Sequence, residues 1–234
     1  MTSISANIHA VRARIDKACA AAQRDAREIT LLAVSKTFGA QAVQEAAEAG
    51  QRAFGENYIQ EAVDKMALLS HLPLAWHCIG PVQSNKTRLV AAHFDWAHTV
   101  DRLRIAQRLS EQRPAQLPPL NVCLQVNVDG GTTKAGVAPE QALALAREVA
   151  ALPGLRLRGL MHIPEPAEGF EAQKAVHLRL KSLFDSLRDA GLPLDTLSMG
   201  MSGDLEAAIA AGSTMVRVGS AIFGARHYAS ASTA

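Results

Sequence analysis

The stretch LLAVSKT, residues 31–37, decides how the rest of the chain is read. Its first five residues are apolar or small, and neither Gly nor Pro interrupts it. Such a run reads as a strand covered on both faces, as in a parallel sheet. The stretch closes on Lys36 and Thr37. A lysine at the mouth of a buried strand is poorly solvated, which favours its neutral amine and suits it to a Schiff base with an aldehyde. The competing reading, that Lys36 marks where the strand meets water, is the stronger one on this segment alone.

Seven more segments of the same kind follow, at 52–57, 74–80, 95–100, 120–128, 155–163, 196–200 and 214–219. Helical patterns separate them, at 41–50, 58–69, 85–94, 102–112, 140–152, 170–190 and 204–212. Asn57, Ser84 and Asp101 are read as N-caps, Pro139 as a first helical residue, and Gly50 and Gly191 as stops. Ahead of the first strand, Ile4, Ile8, Val11, Ile15, Ala18 and Ala22 form a helical stripe, with Ser3 or Ser5 as cap. Eight strands alternating with helices predict an α/β fold, a (β/α)₈ barrel with an extra N-terminal helix. An open doubly wound sheet predicts a GxGxxG turn after an early strand, and the chain has none. It also lacks a P-loop, HExxH and GxSxG.

The 234 residues fit one domain, 1–234, because such barrels run to roughly 250 residues as a unit. The Ser/Ala-rich end, about 229–234, is expected to fray. A hydrophobic content of 48% excludes a disordered chain. With a net charge of +2 and scattered basic residues, nothing favours nucleic acid. No apolar run approaches the roughly 20 residues of a membrane span. An Arg-containing amphipathic start also suits a transit peptide, but Asp16, Asp25 and Glu28 are acidic and the helix leads straight into the first strand. Cys19, Cys78 and Cys123 are odd in number and form no CxxC, so they read as reduced thiols in a cytoplasmic protein.

In a barrel the site is built at the C-terminal ends of the strands, which here carry Lys36, Asn57, Gly80, Asn127, His162, Met199 and Arg217. Gly200, Ser202 and Gly203 precede the helix that starts near Asp204, so backbone N–H groups and a hydroxyl could face an anion there. An ordinary N-cap explains Ser202-Gly203-Asp204 equally well on its own. Gly219 and Ser220, after the eighth strand, offer a second set of donors. A lysine for an aldehyde facing two cradles for a phosphate points to pyridoxal 5′-phosphate. Arg217, two residues before Gly219, is placed to meet the ring nitrogen. Arginine holds its protons too tightly to protonate that nitrogen. The alternative for Arg217 is a salt bridge at the barrel rim. His77, His98 and His162 share no short metal-ligand spacing and read as structural histidines.

The segments VSKTF, FGENYIQEA, WHCIGPVQSNK, LRGLMHIP and LSMGMSGDLEAAIAAGSTMVRVGSAIFGAR closely resemble the pyridoxal-phosphate homeostasis proteins, the YggS/PROSC type. The likeness runs from the first strand to the eighth. It implies a barrel similar to the N-terminal domain of alanine racemase, with the cofactor bound but no known turnover. It also implies that Lys36 carries the cofactor as a Schiff base, that Asn57, Met199, Ser202, Gly203, Arg217, Gly219 and Ser220 line it, and that Arg217 meets the ring nitrogen. A role in vitamin B6 homeostasis follows, with apo-enzymes as recipients and a monomeric state.

Three positions depart from or vary within that pattern. His162 stands where many relatives carry a small residue, and Phe38 where some carry a lysine. Lys134, in the Gly-rich loop, is either a second acceptor or a solvated lysine, and the second reading is favoured. The other classes are a racemase-like enzyme on the same barrel, and a sugar-phosphate enzyme using Lys36 without a cofactor. Racemases of the bacterial type add a second domain that supplies a tyrosine, and here the only tyrosines are Tyr58 and Tyr228.

Overall fold

The computed structural model describes residues 3–131 and 134–224. The end expected to fray, and Tyr228, lie outside the described residues. Eight strands form in order: β1 Thr30–Val34, β2 Ala53–Glu56, β3 Ala75–Cys78, β4 Trp96–Val100, β5 Leu120–Gln125, β6 Leu155–Met161, β7 Thr196–Ser198 and β8 Met215–Val218. All neighbours pair in parallel, and β8 closes on β1 with Leu32 opposite Arg217. The expected barrel is therefore the observed one.

The helices are α1 Ile4–Ala21, α2 Ala40–Glu48, α3 Ile59–Leu68, α4 Thr87–His93, α5 Leu103–Gln112, α6 Pro139–Ala150, α7 Phe170–Asp189, α8 Leu205–Ala210 and α9 Ser220–Phe223. They pack on the outer face of the strands. Leu31 and Ala33 of β1 join the large apolar cluster between sheet and helices. Leu32 and Val34, one residue out of phase, form a separate cluster with Ile79 and Met215 inside the barrel.

The helix after β8, α9, is only four residues long. The N-terminal helix takes its place in the outer ring. α1 packs against α8, α9 and α2, and buries Ile8, Val11, Ile15, Ala18 and Cys19. Ser3 caps it, accepting from the Ala6 N–H at 3.2 Å. Arg24, just beyond, donates to the carbonyls of Ile209 and Ser213 at the end of α8.

The strands end earlier than the apolar runs that mark them. β1 stops at Val34 and β7 at Ser198, because the backbone turns out of the ladder to begin each βα loop. Thr37, in the first such turn, has a φ of 69°. Three expected caps are corrected. Tyr58, Lys86 and Arg102 occupy the N-cap positions of α3, α4 and α5, and none makes a side-chain capping bond. Asn57 instead lies at the barrel mouth, the Ser84 carbonyl accepts from Thr87 Oγ1, and Asp101 pairs with Arg102.

No helix among the described residues is long and apolar enough to cross a membrane. The three cysteines are buried free thiols, and burial pushes Cys78 and Cys123 up to about 12. Because α1 completes the helical ring, Ile8→Ala is expected to cost about 2–5 kcal/mol, the range for truncating a fully buried aliphatic side chain. Urea unfolding measures it, and an unchanged midpoint would show that α1 is not part of the cooperative core.

Candidate functional site

A cavity of about 320 Å³ opens at the C-terminal end of the barrel. Its walls include Lys36, Asn57, Ser202, Gly203, Arg217, Gly219 and Ser220, together with Val34, Phe38, Ile79, Ile163 and Met201. Seven of the eight residues expected to line a cofactor site thus meet in one place. Lys36 is half-buried in the turn just past β1.

Met199 is the exception. Ser198 points into the barrel, so Met199 points out, where it is fully buried in the core under the helices. Gly200 then adopts a φ of 95°, and a Cβ there would lie 2.5 Å from the Cβ of Ala208. Only glycine suits that turn. The turn swings the chain back over the mouth, and Met201 lines the cavity in place of Met199.

What this loop could offer an anion is backbone N–H groups rather than a helix dipole, since α8 has only six residues. Asp204 fastens the loop: its Oδ1 accepts the Met201 N–H at 2.6 Å. Among the described residues, no protein group accepts from the N–H of Ser202 or Gly203. Across the cavity, Gly219 and Ser220 begin α9. Phe38 stacks on Phe223, with ring centroids 5.1 Å apart, and so ties the Lys36 turn to that helix.

Arg217 forms the inner wall. Its Nη1 donates to the Ser198 carbonyl at 2.5 Å and to Ser198 Oγ at 2.8 Å, and its Nη2 to the His162 carbonyl at 2.8 Å. These bonds leave the Nε–H and one Nη2–H of the five guanidinium donors. Burial lowers the guanidinium to about 10, so it stays charged at neutral pH. No rim salt bridge is needed to explain it.

Behind Arg217 a hydrogen-bonded chain runs down the barrel. Ser198 Oγ lies 2.9 Å from His98 Nδ1, and His98 Nε2 lies 2.9 Å from His77 Nδ1. Arginine can only donate, so Ser198 passes its own proton toward His98, and His98 donates onward to His77. His77 stacks on Trp96. Burial pushes His77 to about 3 and His98 well below its ordinary value.

His162 does not reach the cavity. Its ring turns toward α7, where Nε2 meets His177 Nδ1 at 2.8 Å, and His177 Nε2 meets Asp204 Oδ2 at 3.0 Å. Ile163, the next residue, lines the cavity in its stead. Burial, with His177 and Arg217 nearby, lowers His162 to about 3. The three histidines weighed as metal ligands are hydrogen-bonded structural groups. Among the described residues, no three His, Cys, Asp or Glu side chains gather to hold a metal.

Gly80 and Asn127 support the rim. A Cβ on Gly80 would lie 2.3 Å from the Asn57 carbonyl, so glycine lets the Asn57 loop close in. Asn127 braces its own loop through Gly130 and Gly131. Lys134 donates to the Ile163 carbonyl and pairs with Glu165 at 3.1 Å. It lies outside the Lys36 cavity, in the wall of a separate one.

The profile of the alanine racemase N-terminal domain matches residues 6–227. A pyridoxal phosphate homeostasis protein of Pseudomonas aeruginosa is 63% identical over 228 residues, 97% of this chain and 98% of that protein. A protein of the same name from Escherichia coli is 55% identical over 231 residues, covering 97% and 99%. The chain belongs to the pyridoxal phosphate homeostasis protein family, within the alanine racemase N-terminal domain family.

Solved structures place this family on the same barrel. PipY of Synechococcus elongatus, solved with PLP bound, superposes with a TM-score of 0.83 at 36% identity, covering 95% of this chain and all of that one. Alanine racemase of Clostridium difficile superposes at 0.71 with 17% identity over 87% of this chain and 54% of its own, a likeness of fold.

The residues that sequence reasoning did not single out are Met201 and Ile163 at the cavity, and behind it Glu56, Lys65, Ser198 and His177. A signal existed for Glu56, a carboxylate closing an otherwise apolar strand.

The buried histidines make stability depend on pH. The unfolded chain takes up protons as pH falls through about 6.5, whereas His77 and His162 resist to about 3. Stability is therefore present above pH 6.5 and is lost below it, by up to ~1.4 kcal/mol per histidine for each pH unit. Thermal melts are expected to shift down between pH 7 and pH 5. A flat profile would show that these imidazoles titrate freely in the native state.

Proposed function

We propose that this protein binds pyridoxal 5′-phosphate as a Schiff base on Lys36 and serves in the homeostasis of that cofactor, as the names of its relatives state of them. The observation that carries the reading is the convergence in one cavity of an amine, a charged guanidinium and two sets of backbone donors. The cavity also fits the group on a second count. Asn57 Oδ1 is buried there, and no donor reaches it among the described residues. A polar atom left so at a cavity wall asks for a partner from a ligand.

When bound, the cofactor supplies an aldehyde and an aromatic ring that can accept electrons from an attached amino acid. The protein's part is to bind and orient. The N–H groups of Ser202 and Gly203, with Gly219 and Ser220 opposite, would take the phosphate. Asn57 would take a donor of the ring substituents. Arg217 would offer an N–H to the ring nitrogen and keep its own proton, because at about 10 the guanidinium is no acid at neutral pH. An unprotonated ring is a weak electron sink. Val34, Ile79 and Ile163 would exclude water from one side.

This division of roles favours holding and releasing over turnover. No tyrosine lines the cavity among the described residues, and Tyr58 stands exposed beside it on the α3 cap. A racemase needs general acid–base help on both ring faces, worth about 10²–10⁴-fold. The recipients in this reading are apo-enzymes that require the cofactor. The chain would act as a monomeric one-domain barrel in the cytoplasm, with the inert, buried thiols suited to a reducing compartment.

Two experiments test the reading. Borohydride reduction of the cofactor-loaded protein, followed by peptide mapping, is expected to fix the label on Lys36. Label found on another residue would refute that assignment. Incubation of the loaded protein with single L-amino acids in D₂O is expected to give no Cα deuteration at ordinary enzyme rates, on the order of 1 s⁻¹. Deuteration at such rates would replace the carrier with an enzyme.

A further inference from the structure

Lys65 and Glu56 form a buried ion pair that the cavity does not contain. Lys65 is 6% exposed and Glu56 fully buried, with Nζ and Oε1 2.5 Å apart. The same Nζ donates to the carbonyls of Ser35 and Phe38, both at 3.0 Å. An ammonium has three donors, and all three are taken. Ser35 Oγ donates to Glu56 Oε1 as well, at 2.6 Å. The two carbonyls bracket Lys36 and Thr37, and the Phe38 N–H closes the turn on the Ser35 carbonyl at 3.1 Å.

From this geometry we infer that Lys65, anchored by Glu56, is a positioning residue that clamps the 35–38 turn and so presents the Lys36 amine to the cavity. The inference rests on the reading of Lys36 as the attachment point.

The turn needs such a clamp. Thr37 holds a φ of 69°, a left-handed conformation that costs a β-branched residue free energy and persists only when its surroundings enforce it. Ordinary barrel stability does not call for the ion pair. A buried pair often gives way to apolar residues without loss, because desolvation offsets its attraction. Burial indeed raises Glu56 above the usual carboxylate range, against the lowering effect of Lys65 and Ser35. Glu56 Oε2 has no partner among the described residues, so the carboxylate is not simply a well-satisfied core group. What the pair does achieve is to tie the end of β2, the second turn of α3 and the loop after β1 to one point.

Attachment joins Lys36 Nζ to the aldehyde carbon and releases one water. It therefore depends on where the amine sits, whereas phosphate capture depends on residues 202–203 and 219–220. Lys65→Met, an unbranched side chain one atom shorter and without the donors, separates the two. The variant is expected to bind pyridoxine 5′-phosphate, the alcohol without the aldehyde, within about 2-fold of wild type. Its rate of covalent attachment to pyridoxal 5′-phosphate, followed by the visible band and borohydride trapping, is expected to fall on the order of 10- to 100-fold, the effect of a small misplacement of a reacting group. In the ligand-free protein, amide exchange at Thr37 and Phe38 is expected to quicken, with the barrel strands unchanged.

If Lys65→Met does not fold, Glu56→Gln, which loosens Lys65 while keeping volume, is measured in its place with the same expectation. Equal weakening of both ligands would make Lys65 merely structural, and an unchanged attachment rate would remove the clamp. Wild-type label on a residue other than Lys36 would overturn the function reading itself. The presentation role would fall with it, even with faster exchange at Thr37.

Discussion

Arg217 carries a permanent charge on the inner face of β8, 5% exposed. A buried cation of this kind survives only if its donors are met, and the surrounding structure is arranged to meet them. Ser198 on β7 supplies a carbonyl and a hydroxyl, and the loop end of β6 supplies the His162 carbonyl. Three consecutive strands thus converge on one guanidinium. Ser198 then needs an acceptor for its proton, which His98 and behind it His77 provide. The barrel interior is polar on this side for this reason, beside the apolar cluster of Leu32, Val34, Ile79 and Met215.

A second charged group organises the other side of the mouth. Lys65 comes from α3, yet its bonds go to the loop after β1 and to the end of β2. A third tie, Asp204 through His177 to His162, joins the loop at residues 201–204 to the segment that holds Arg217. Each polar knot connects a loop at the cavity to a strand of the barrel. Loops become precise in this way without being part of the sheet.

The mouth is lined by backbone N–H groups, by a guanidinium that stays charged at neutral pH, and by Lys36 in the turn after β1. The same barrel in alanine racemases shows how little the fold alone says about turnover.

The sequence by itself determined the alternation of strands and helices, because apolar runs and Gly/Pro punctuation are local signals. It also marked Lys36, Ser202-Gly203 and Gly219-Ser220, since glycine and serine beside a strand end reveal open backbone donors without any partner being known. Asn57 was placed at the mouth, though its capping role was not borne out, since a side chain at a loop start can turn to either helix or cavity. Met199 and Met201 lie two residues apart. Only the inward direction of Ser198 and the left-handed turn at Gly200 send the first into the core and the second over the cavity. His162 shows the same limit: the residue stands at a strand end, but its ring follows the partner offered by α7. Lys65 and Glu56 stand nine residues apart, on α3 and at the end of β2, and only the fold brings them to the same turn. Periodicity is a property of neighbours along the chain, whereas the partner of a buried charge is set by which strands and helices the closed barrel makes adjacent.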